Sequence, residues 1–179
     1  AGYIGSHTAK ALAASGREVV VLDNLSTGHA EFLRWGEFVR ADILDDPASL
    51  AALLAERGVE AVMHFASLIQ VGESMAEPGS YYRTNLCGVL NLLEGMRSAG
   101  VDKLIFSSSA AVYGNPRSVP LTEDHPLRPI NPYGWTKRMA EQMMADFGAA
   151  HGLRSVSLRY FNAAGASADG EIGEWHDPE

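Results

Sequence analysis

The sequence predicts an α/β fold, a doubly wound parallel sheet with helices on both faces. Short apolar runs of strand length alternate with helical patterns along most of the chain. Polar or otherwise distinctive residues come directly after four of these runs, namely Asp23, Phe65, Ser109 and Asn162. Because ligands bind at the carboxyl ends of the strands in such sheets, these positions predict a binding site at that edge.

Composition limits the class of protein. The chain has 179 residues, which suits one domain with a sizeable core, and its net charge of -8 argues against a nucleic-acid surface. No apolar run reaches the length of a membrane span and no stretch is typical of a signal peptide, so we expect no membrane partner. The single cysteine, Cys87, is expected to occupy a small buried position. A reducing cytoplasm is therefore the expected location of the protein.

The first forty residues predict the second half of a dinucleotide-binding unit. A helical pattern over 5–15 precedes a strand over 19–22, which ends at Asp23. Gly2 and Gly5 would let the backbone approach a pyrophosphate at the helix N-terminus, where N–H groups and the dipole favour an anion. Asp23 lies eighteen residues after Gly5, close to the spacing of about 20 at which a carboxylate binds the ribose hydroxyls. This carboxylate would repel a 2′-phosphate, so NAD is favoured over NADP.

The other elements follow in order. They are a strand over 38–40, a helix from Pro47 to about Glu56, a strand within 61–66, a long helix after Pro78 ending at Gly100, a strand over 103–106 closing on Ser107–Ser109, a helix through Tyr133 ending near Gly152, and a strand over 155–159. The long helix should bury Leu86, Leu90, Leu93 and Met96. Met139, Met143, Met144 and Phe147 form a second stripe, expected in the core or in a dimer interface.

The stretch from Asn131 to Lys137 predicts the chemistry. Asn131 is a good N-cap, and Pro132 suits the first helical turn. Tyr133 and Lys137 then lie four residues apart on one helix face, where their side chains can converge. A neighbouring ammonium lowers the tyrosine pKa from its usual ~10 and makes the phenol a better base. A shift of roughly three units needs about 4 kcal/mol, which one lysine and a cationic cofactor ring could supply together.

Several segments in a fixed order carry a family resemblance. They are Ala1–His7, Val21–Ser26, His64–Ala66, Val71–Ser74, Phe106–Gly114, Asn131–Lys137 and Arg159–Gly165. With these segments the chain resembles the extended short-chain dehydrogenase/reductases, and most closely the UDP-galactose (UDP-glucose) 4-epimerases. The resemblance implies a Rossmann-like domain with NAD as cofactor and a UDP-sugar as substrate.

The resemblance also implies site residues. The implied NAD contacts are Gly2, Tyr3, Ile4, Asp23, Asn24, Ser26, Thr27, Gly28, Asp42, Ile43, Phe65, Ala66, Ser67, Ser107, Tyr133, Lys137 and Phe161. The implied substrate contacts are Ser109, Ala110, Tyr133, Tyr160 and Asn162. Tyr133 would be the acid/base, Ser109 would hydrogen-bond the reacting hydroxyl, and Lys137 would hold the cofactor ribose while lowering the tyrosine pKa. We expect no metal, because the six histidines lack ligand spacing.

The implied reaction is epimerisation at C4 of a UDP-hexose. Hydride passes from C4 to NAD+ while Tyr133 takes the hydroxyl proton, and the same hydride returns to the opposite face of a transient 4-keto sugar. A dehydratase of this family would carry an Asp-Glu pair where Ala110 and Ala111 stand. UDP-GlcNAc and UDP-uronate 4-epimerases, decarboxylases, dehydratases and a non-catalytic NAD-binding sensor remain alternatives.

Two departures from the family pattern concern the chain ends. The first glycine of the family's Gly-x-x-Gly-x-x-Gly motif and the first strand would precede Ala1, and the substrate-capping region would follow Glu179. We therefore expect residues 1–179 to be one NAD-binding domain fragment, truncated at the first strand and not competent alone. The full-length protein is expected to be a homodimer. Ile69 stands where relatives often carry a lysine near the cofactor.

Overall fold

The computed structural model describes residues 1–175. The chain divides into two units, of which unit 1 comprises Ala1–Asp42 with Asn162–Glu179 and unit 2 comprises Ile43–Phe161. Every pair of neighbouring strands lies within one unit and runs parallel. The predicted α/β class with parallel strands is confirmed, although the strands form one sheet in each unit.

In its described residues, unit 1 contains an α-helix, a 3₁₀ turn (Ala30–Phe32) and a two-stranded sheet. Helix α1 (Tyr3–Ala14) begins after Gly2, strand β1 (Val20–Asp23) follows, and β1 pairs with β2 (Glu37–Arg40). Asp23, the last residue of β1, lies opposite Arg40. All residues of β1 are half-buried, because β1 has a single hydrogen-bonded neighbour in unit 1. The apolar run that ends at Asp23 therefore forms the predicted strand, with every residue half-buried.

Unit 2 contains a three-stranded sheet in the order β3-β4-β5. Its elements are α2 (Pro47–Glu56), β3 (Val62–His64), α3 (Val71–Ala76), α4 (Pro78–Tyr82), a π-helical turn (Arg83–Cys87), α5 (Gly88–Ala99), β4 (Lys103–Ser109), a 3₁₀ turn (Ala110–Tyr113), α6 (Pro132–His151) and β5 (Arg154–Tyr160). Asp46 caps α2 by accepting hydrogen bonds from Ala48 N and Ser49 N. Strand β4 includes the three serines that we expected to follow it.

The predicted long helix is interrupted. The π-helical turn adds a residue to the helical repeat, which rotates the following turns relative to the preceding ones. Two sequence-based expectations fail for this reason: Leu90 is 44% exposed, and Cys87 is exposed although it was expected to be buried. Leu93 and Met96 are buried as expected, whereas Leu86 is half-buried.

The core of unit 2 is formed mainly by α5, α6 and the sheet, with a contribution from α2. Its buried members are Leu54, Val89, Leu92, Leu93, Met96, Val101, Leu104, Phe106, Ala140 and Met144. The second predicted stripe is divided: Met144 is in this core, Met143 and Phe147 pack against it, and Met139 is 38% exposed. Among residues 1–175, no helix combines the length and apolarity that crossing a bilayer requires.

Candidate catalytic site

The carboxyl end of β4 presents serines to both faces of the sheet. Side chains alternate along a strand, and Ser108 is buried while Ser107 and Ser109 are half-buried. Ser109 ends the strand, and its Oγ accepts a hydrogen bond from Ala111 N at 3.1 Å. Ser109 therefore caps the 3₁₀ turn that follows, which fixes the direction of its hydroxyl.

The first turn of α6 lies against this 3₁₀ turn. Asn131 Oδ1 accepts from Gly134 N at 2.8 Å and caps the helix as predicted. A Cβ at Gly134 would lie only 2.7 Å from the carbonyl oxygen of Ala111. Because glycine lacks this atom, the first turn of α6, which carries Tyr133, can pack closely against the turn that follows Ser109.

The acid/base properties of Tyr133 differ from the expectation. Burial raises the pKa of Tyr133, and hydrogen bonding to Ser109 lowers it. The predicted lowering of the Tyr133 pKa by Lys137 is not what this structure gives. The Lys137 Nζ lies 5.7 Å from the centre of the Tyr133 ring and donates instead to the carbonyl oxygen of Ser107 at 2.9 Å.

Lys137 is itself a perturbed group. Its side chain is enclosed, with the residue 3% exposed, and burial lowers the pKa of Lys137 to about 7. Its Nζ lies 5.0 Å from the centre of the Phe106 ring, on which His64 stacks. Burial, with a smaller contribution from Lys137, lowers the pKa of His64 to about 3. His64 is therefore neutral at physiological pH and adds no positive charge beside Lys137.

The segment after β3 is held by a side chain that sequence reasoning missed. Asn85 Oδ1 accepts from Leu68 N at 2.8 Å, and Asn85 Nδ2 donates to Leu68 O at 2.9 Å and to Thr136 Oγ1 at 3.3 Å. Thr136 Oγ1 in turn donates to Tyr133 O at 2.7 Å. Phe65, Ala66 and Ser67 directly precede this attachment. A polar residue within the apolar pattern of a helix was the available signal for Asn85.

The remaining predicted residues of unit 2 are less closely grouped. Tyr160 ends β5 beside Ser109 in the strand register, and burial raises the pKa of Tyr160. Phe161 is 69% exposed, and Ala110 begins the 3₁₀ turn. Ile43 is buried, and a Cβ at Gly88 would touch it, so it packs at the start of α5. The structure thus groups Ser107, Ser109, Ala110, Tyr133, Lys137 and Tyr160, and it places Ile43 at a different location within unit 2.

Unit 1 contains the predicted pyrophosphate and ribose residues. Gly2 is the N-cap of α1 in an extended conformation, and no side chain caps this helix. Tyr3 and Ile4 form its first turn. Asp23 accepts from the backbone nitrogens of Ala1 and Leu25, both at 2.7 Å. The carboxylate of Asp23 therefore lies at the end of β1 beside the start of α1, the arrangement that the glycine and acid spacing predicted.

The loop after β1 is organised by Asn24. Its Nδ2 donates to Asp42 Oδ2 at 2.8 Å, and its Oδ1 accepts from Ser26 N at 2.9 Å. Ser26 and Thr27 are exposed, and Gly28 is half-buried. Asn162, also in unit 1, is exposed. Among residues 1–175, no group of three or more His, Cys, Asp or Glu side chains could hold a metal ion.

The parallel α/β fold and the Ser-Tyr-Lys arrangement define a protein of the short-chain dehydrogenase/reductase type. The model of the NAD dependent epimerase/dehydratase family matches residues 1–174, and the chain belongs to this family. It is 53% identical over its full length to the UDP-glucose 4-epimerase of Rhizobium meliloti (strain 1021), of which it covers 54%.

Solved structures give the same relationship. The chain superposes over its full length, with a TM-score of 0.98 and 54% identity, on 55% of the UDP-glucose 4-epimerase of Brucella ovis in complex with NAD. With 94% of its length it matches 53% of the UDP-Glc/GlcNAc 4-epimerase of Campylobacter jejuni, at a TM-score of 0.87 and 41% identity. The chain thus spans about half the length of the relatives it matches.

Proposed function

We propose that the full-length protein containing this chain is an NAD-dependent 4-epimerase that interconverts UDP-galactose and UDP-glucose. The observation that carries this proposal is the grouping of Ser109, Tyr133 and Lys137 at the carboxyl end of β4. Ala110 and Ala111 stand where a dehydratase would need its acid and base. Relatives named UDP-glucose 4-epimerase support the substrate.

The residues of each unit suit parts of NAD. In unit 1, the uncapped N-terminus of α1 offers N–H groups to a pyrophosphate, and the carboxylate of Asp23 is an acceptor for ribose hydroxyls. In unit 2, Lys137 would donate to a ribose hydroxyl, and Phe65 and Phe161, which follow β3 and β5, would line the nicotinamide end. When bound, NAD+ supplies the hydride acceptor for C4 and a positive ring charge.

Tyr133 and Ser109 handle the proton. Burial keeps the pKa of Tyr133 above its usual value, so Tyr133 is a phenol at neutral pH before a positive charge approaches it. In the proposed reaction Ser109 hydrogen-bonds both the phenol oxygen and the sugar C4 hydroxyl. To act as the base, Tyr133 must first release its own proton to solvent, which the positive ring charge of bound NAD+ would favour. The phenolate would then take the C4 hydroxyl proton as hydride leaves C4 and return it when hydride comes back.

The proposal includes three further expectations for the full-length protein. We retain the homodimer, which the exposed Leu90 on α5 and the exposed Trp135 and Met139 on α6 support. We also retain a cytoplasmic location and the assignment of residues 1–179 to one NAD-binding domain. The N-acetylated sugar remains the nearest alternative substrate, because one matched relative is named for both sugars.

The test is conversion of UDP-galactose by the full-length protein without added NAD. We expect UDP-glucose to form, since NAD is regenerated in each cycle and should remain bound through purification. Turnover of UDP-GlcNAc or of a UDP-uronate alone would retain the mechanism and change the substrate. If no nucleotide sugar reacted while NAD was bound, the protein would be a sensor and the enzymatic proposal would be wrong.

A further inference from the structure

The buried carboxylate of Glu141 lies on the helix that carries Tyr133 and Lys137. Glu141 follows Lys137 by one turn of α6 and is 9% exposed. Its Oε1 accepts from Ser108 Oγ at 2.6 Å and from Arg159 Nε at 3.0 Å, and its Oε2 accepts from a terminal nitrogen of Arg159 at 2.8 Å. This carboxylate therefore joins β4, α6 and β5.

Arg159 extends the network to the turn after Ser109. Its other terminal nitrogen donates to the Tyr113 hydroxyl at 3.0 Å, and its guanidinium lies 5.1 Å from the centre of the Tyr113 ring. Hydrogen bonding to Glu141 raises the pKa of Arg159, so the arginine stays charged at every accessible pH. We call Ser108, Tyr113, Glu141 and Arg159 the support network.

Each member of the support network is close in sequence to a residue of the site. Ser108 precedes Ser109, and Tyr113 ends the 3₁₀ turn that Ser109 caps. Glu141 lies one turn after Lys137 and two turns after Tyr133 on the same side of α6. Arg159 precedes Tyr160. The network therefore connects β4, α6 and β5, the three elements that carry these site residues.

Stability alone accounts poorly for this arrangement. Placing a charged pair in the protein interior costs desolvation, and apolar replacements of similar volume are often neutral or stabilising. What a bidentate pair supplies is a defined geometry between the elements it joins. We infer that Glu141 and Arg159 are positioning residues for the proposed epimerisation, which hold Ser109 and Tyr133 at their mutual distance and orientation.

The chain offers a matched control. Arg154, at the opposite end of β5, makes a bidentate pair with Asp102 at 2.7 to 3.1 Å, but its side chain is 65% exposed against 22% for Arg159. We therefore compare Arg159→Lys with Arg154→Lys in the full-length protein. Each change keeps the positive charge and removes the planar fork.

The first readout is kcat per NAD-containing active site, with KM for UDP-galactose and the thermal midpoint measured alongside. We expect Arg159→Lys to lower kcat at least tenfold with KM within about threefold, and Arg154→Lys to leave both unchanged. An unchanged kcat per NAD-containing site in Arg159→Lys would show a merely structural role. If Arg159→Lys does not fold, Ser108→Ala removes one hydrogen bond of the network and should lower kcat severalfold; an unchanged value there overturns the inference.

The second readout does not depend on the proposed activity. The ultraviolet difference titration between a protein and its Tyr133→Phe derivative reports ionisation of Tyr133. The groups that face Tyr133 are Ser109, Lys137 and Tyr81, whose hydroxyl donates to Glu73. Displacing Ser109 removes the hydrogen bond that lowers the Tyr133 pKa, so we expect the titration of Arg159→Lys to move upward and that of Arg154→Lys to coincide with wild type. If wild type converts no sugar, the proposed function fails, and this titration still decides the positioning role.

Discussion

An arginine–carboxylate pair lies at each end of the paired strands β4 and β5, and the two pairs differ in exposure. At the amino end, Arg154 and Asp102 form a bidentate pair with side chains 65% and 49% exposed. At the carboxyl end, Arg159 and Glu141 form one with side chains 22% and 7% exposed. An exposed pair contributes about 0.2–1 kcal/mol, whereas removing one partner of a buried pair costs about 3–5 kcal/mol. The buried pair, which costs desolvation free energy, is the one beside Ser109 and Tyr133, where the geometry has to be defined.

The same contrast applies to the ionisable groups. Lys137 and Tyr133 lie at the carboxyl end, and burial moves the pKa of each in the direction that disfavours its charged form. At the amino end, by contrast, both Asp102 and Arg154 are exposed. The carboxyl end thus combines buried polar groups and perturbed titrations, which is the pattern expected of a functional site.

The largest effect should come from Tyr133→Phe. Loss of a positioned acid/base typically costs 10²–10⁴ in rate, so we expect kcat for UDP-galactose to fall about 10³-fold while NAD stays bound. The measurement is steady-state turnover with NAD quantified after denaturation. Tyr82→Phe, on α4, is the control and should retain full activity. Equal turnover by Tyr133→Phe and wild type would remove Tyr133 from the mechanism.

Lys137→Met should change the pH dependence of stability. Because the pKa of Lys137 is about 7 in the fold and near 10.5 when unfolded, the unfolded chain binds more protons between these values. The free energy of unfolding of wild type should therefore rise with pH from about 7 to about 10.5, and the variant should lack this component. Relative to wild type, the variant should be more stable by a few kcal/mol below pH 7, less the lost hydrogen bond to Ser107.

The measurement for Lys137→Met is denaturant unfolding of both full-length proteins at pH 6, 8 and 9.5, after removal of bound nucleotide. A stability difference that stays constant over this range would contradict the burial of the lysine ammonium.

Gly134→Ala and Gly148→Ala should differ in effect, because the two glycines lie near opposite ends of α6. The added Cβ would meet Ala111 O at 2.7 Å, whereas a Cβ at Gly148 would lie 3.1 Å from Leu153 O. We expect Gly134→Ala to cost about 1–3 kcal/mol and to lower kcat, because overpacking displaces Tyr133 from Ser109. Gly148→Ala should be near neutral, since gained helix propensity offsets a smaller adjustment. Thermal unfolding and turnover of both variants test this, and equal effects would refute a special fit at Gly134.

Asp102→Asn should have the smallest effect. Its pair with Arg154 is exposed, so we expect a loss of less than about 1 kcal/mol that diminishes at high salt, with unchanged kcat. Unfolding midpoints at low and high ionic strength provide the measurement. A loss of several kcal/mol would remove the contrast between the two ends of the strands.

Local sequence chemistry predicted much of the fold. Asn131 and Pro132 start α6, Asp46 and Pro47 start α2, and the strand after α1 ends at Asp23, because caps and breakers act through neighbouring residues. The short helix α3 was not anticipated. The exposure of Cys87 was also missed, because the π-helical turn leaves no sequence signature of its own.

The site was predictable where it consists of motifs and unpredictable where it depends on burial. The spacing of Tyr133 and Lys137 placed both on one helix face, but the direction of the Tyr133 pKa shift depends on desolvation, which only the packed structure reveals. Glu141 and Arg159 are eighteen residues apart in the chain. No local pattern indicates that two such distant charged residues form a pair.

The central claim is that one hydride leaves C4 and returns to it within a single site. The most direct test is the conversion of UDP-galactose deuterated at C4 by the full-length protein in ordinary water. We predict that the UDP-glucose formed keeps the deuterium at C4, because the abstracted hydride is returned to the same carbon. Loss of deuterium to solvent would contradict this account and would indicate proton exchange at C4 instead of internal hydride return.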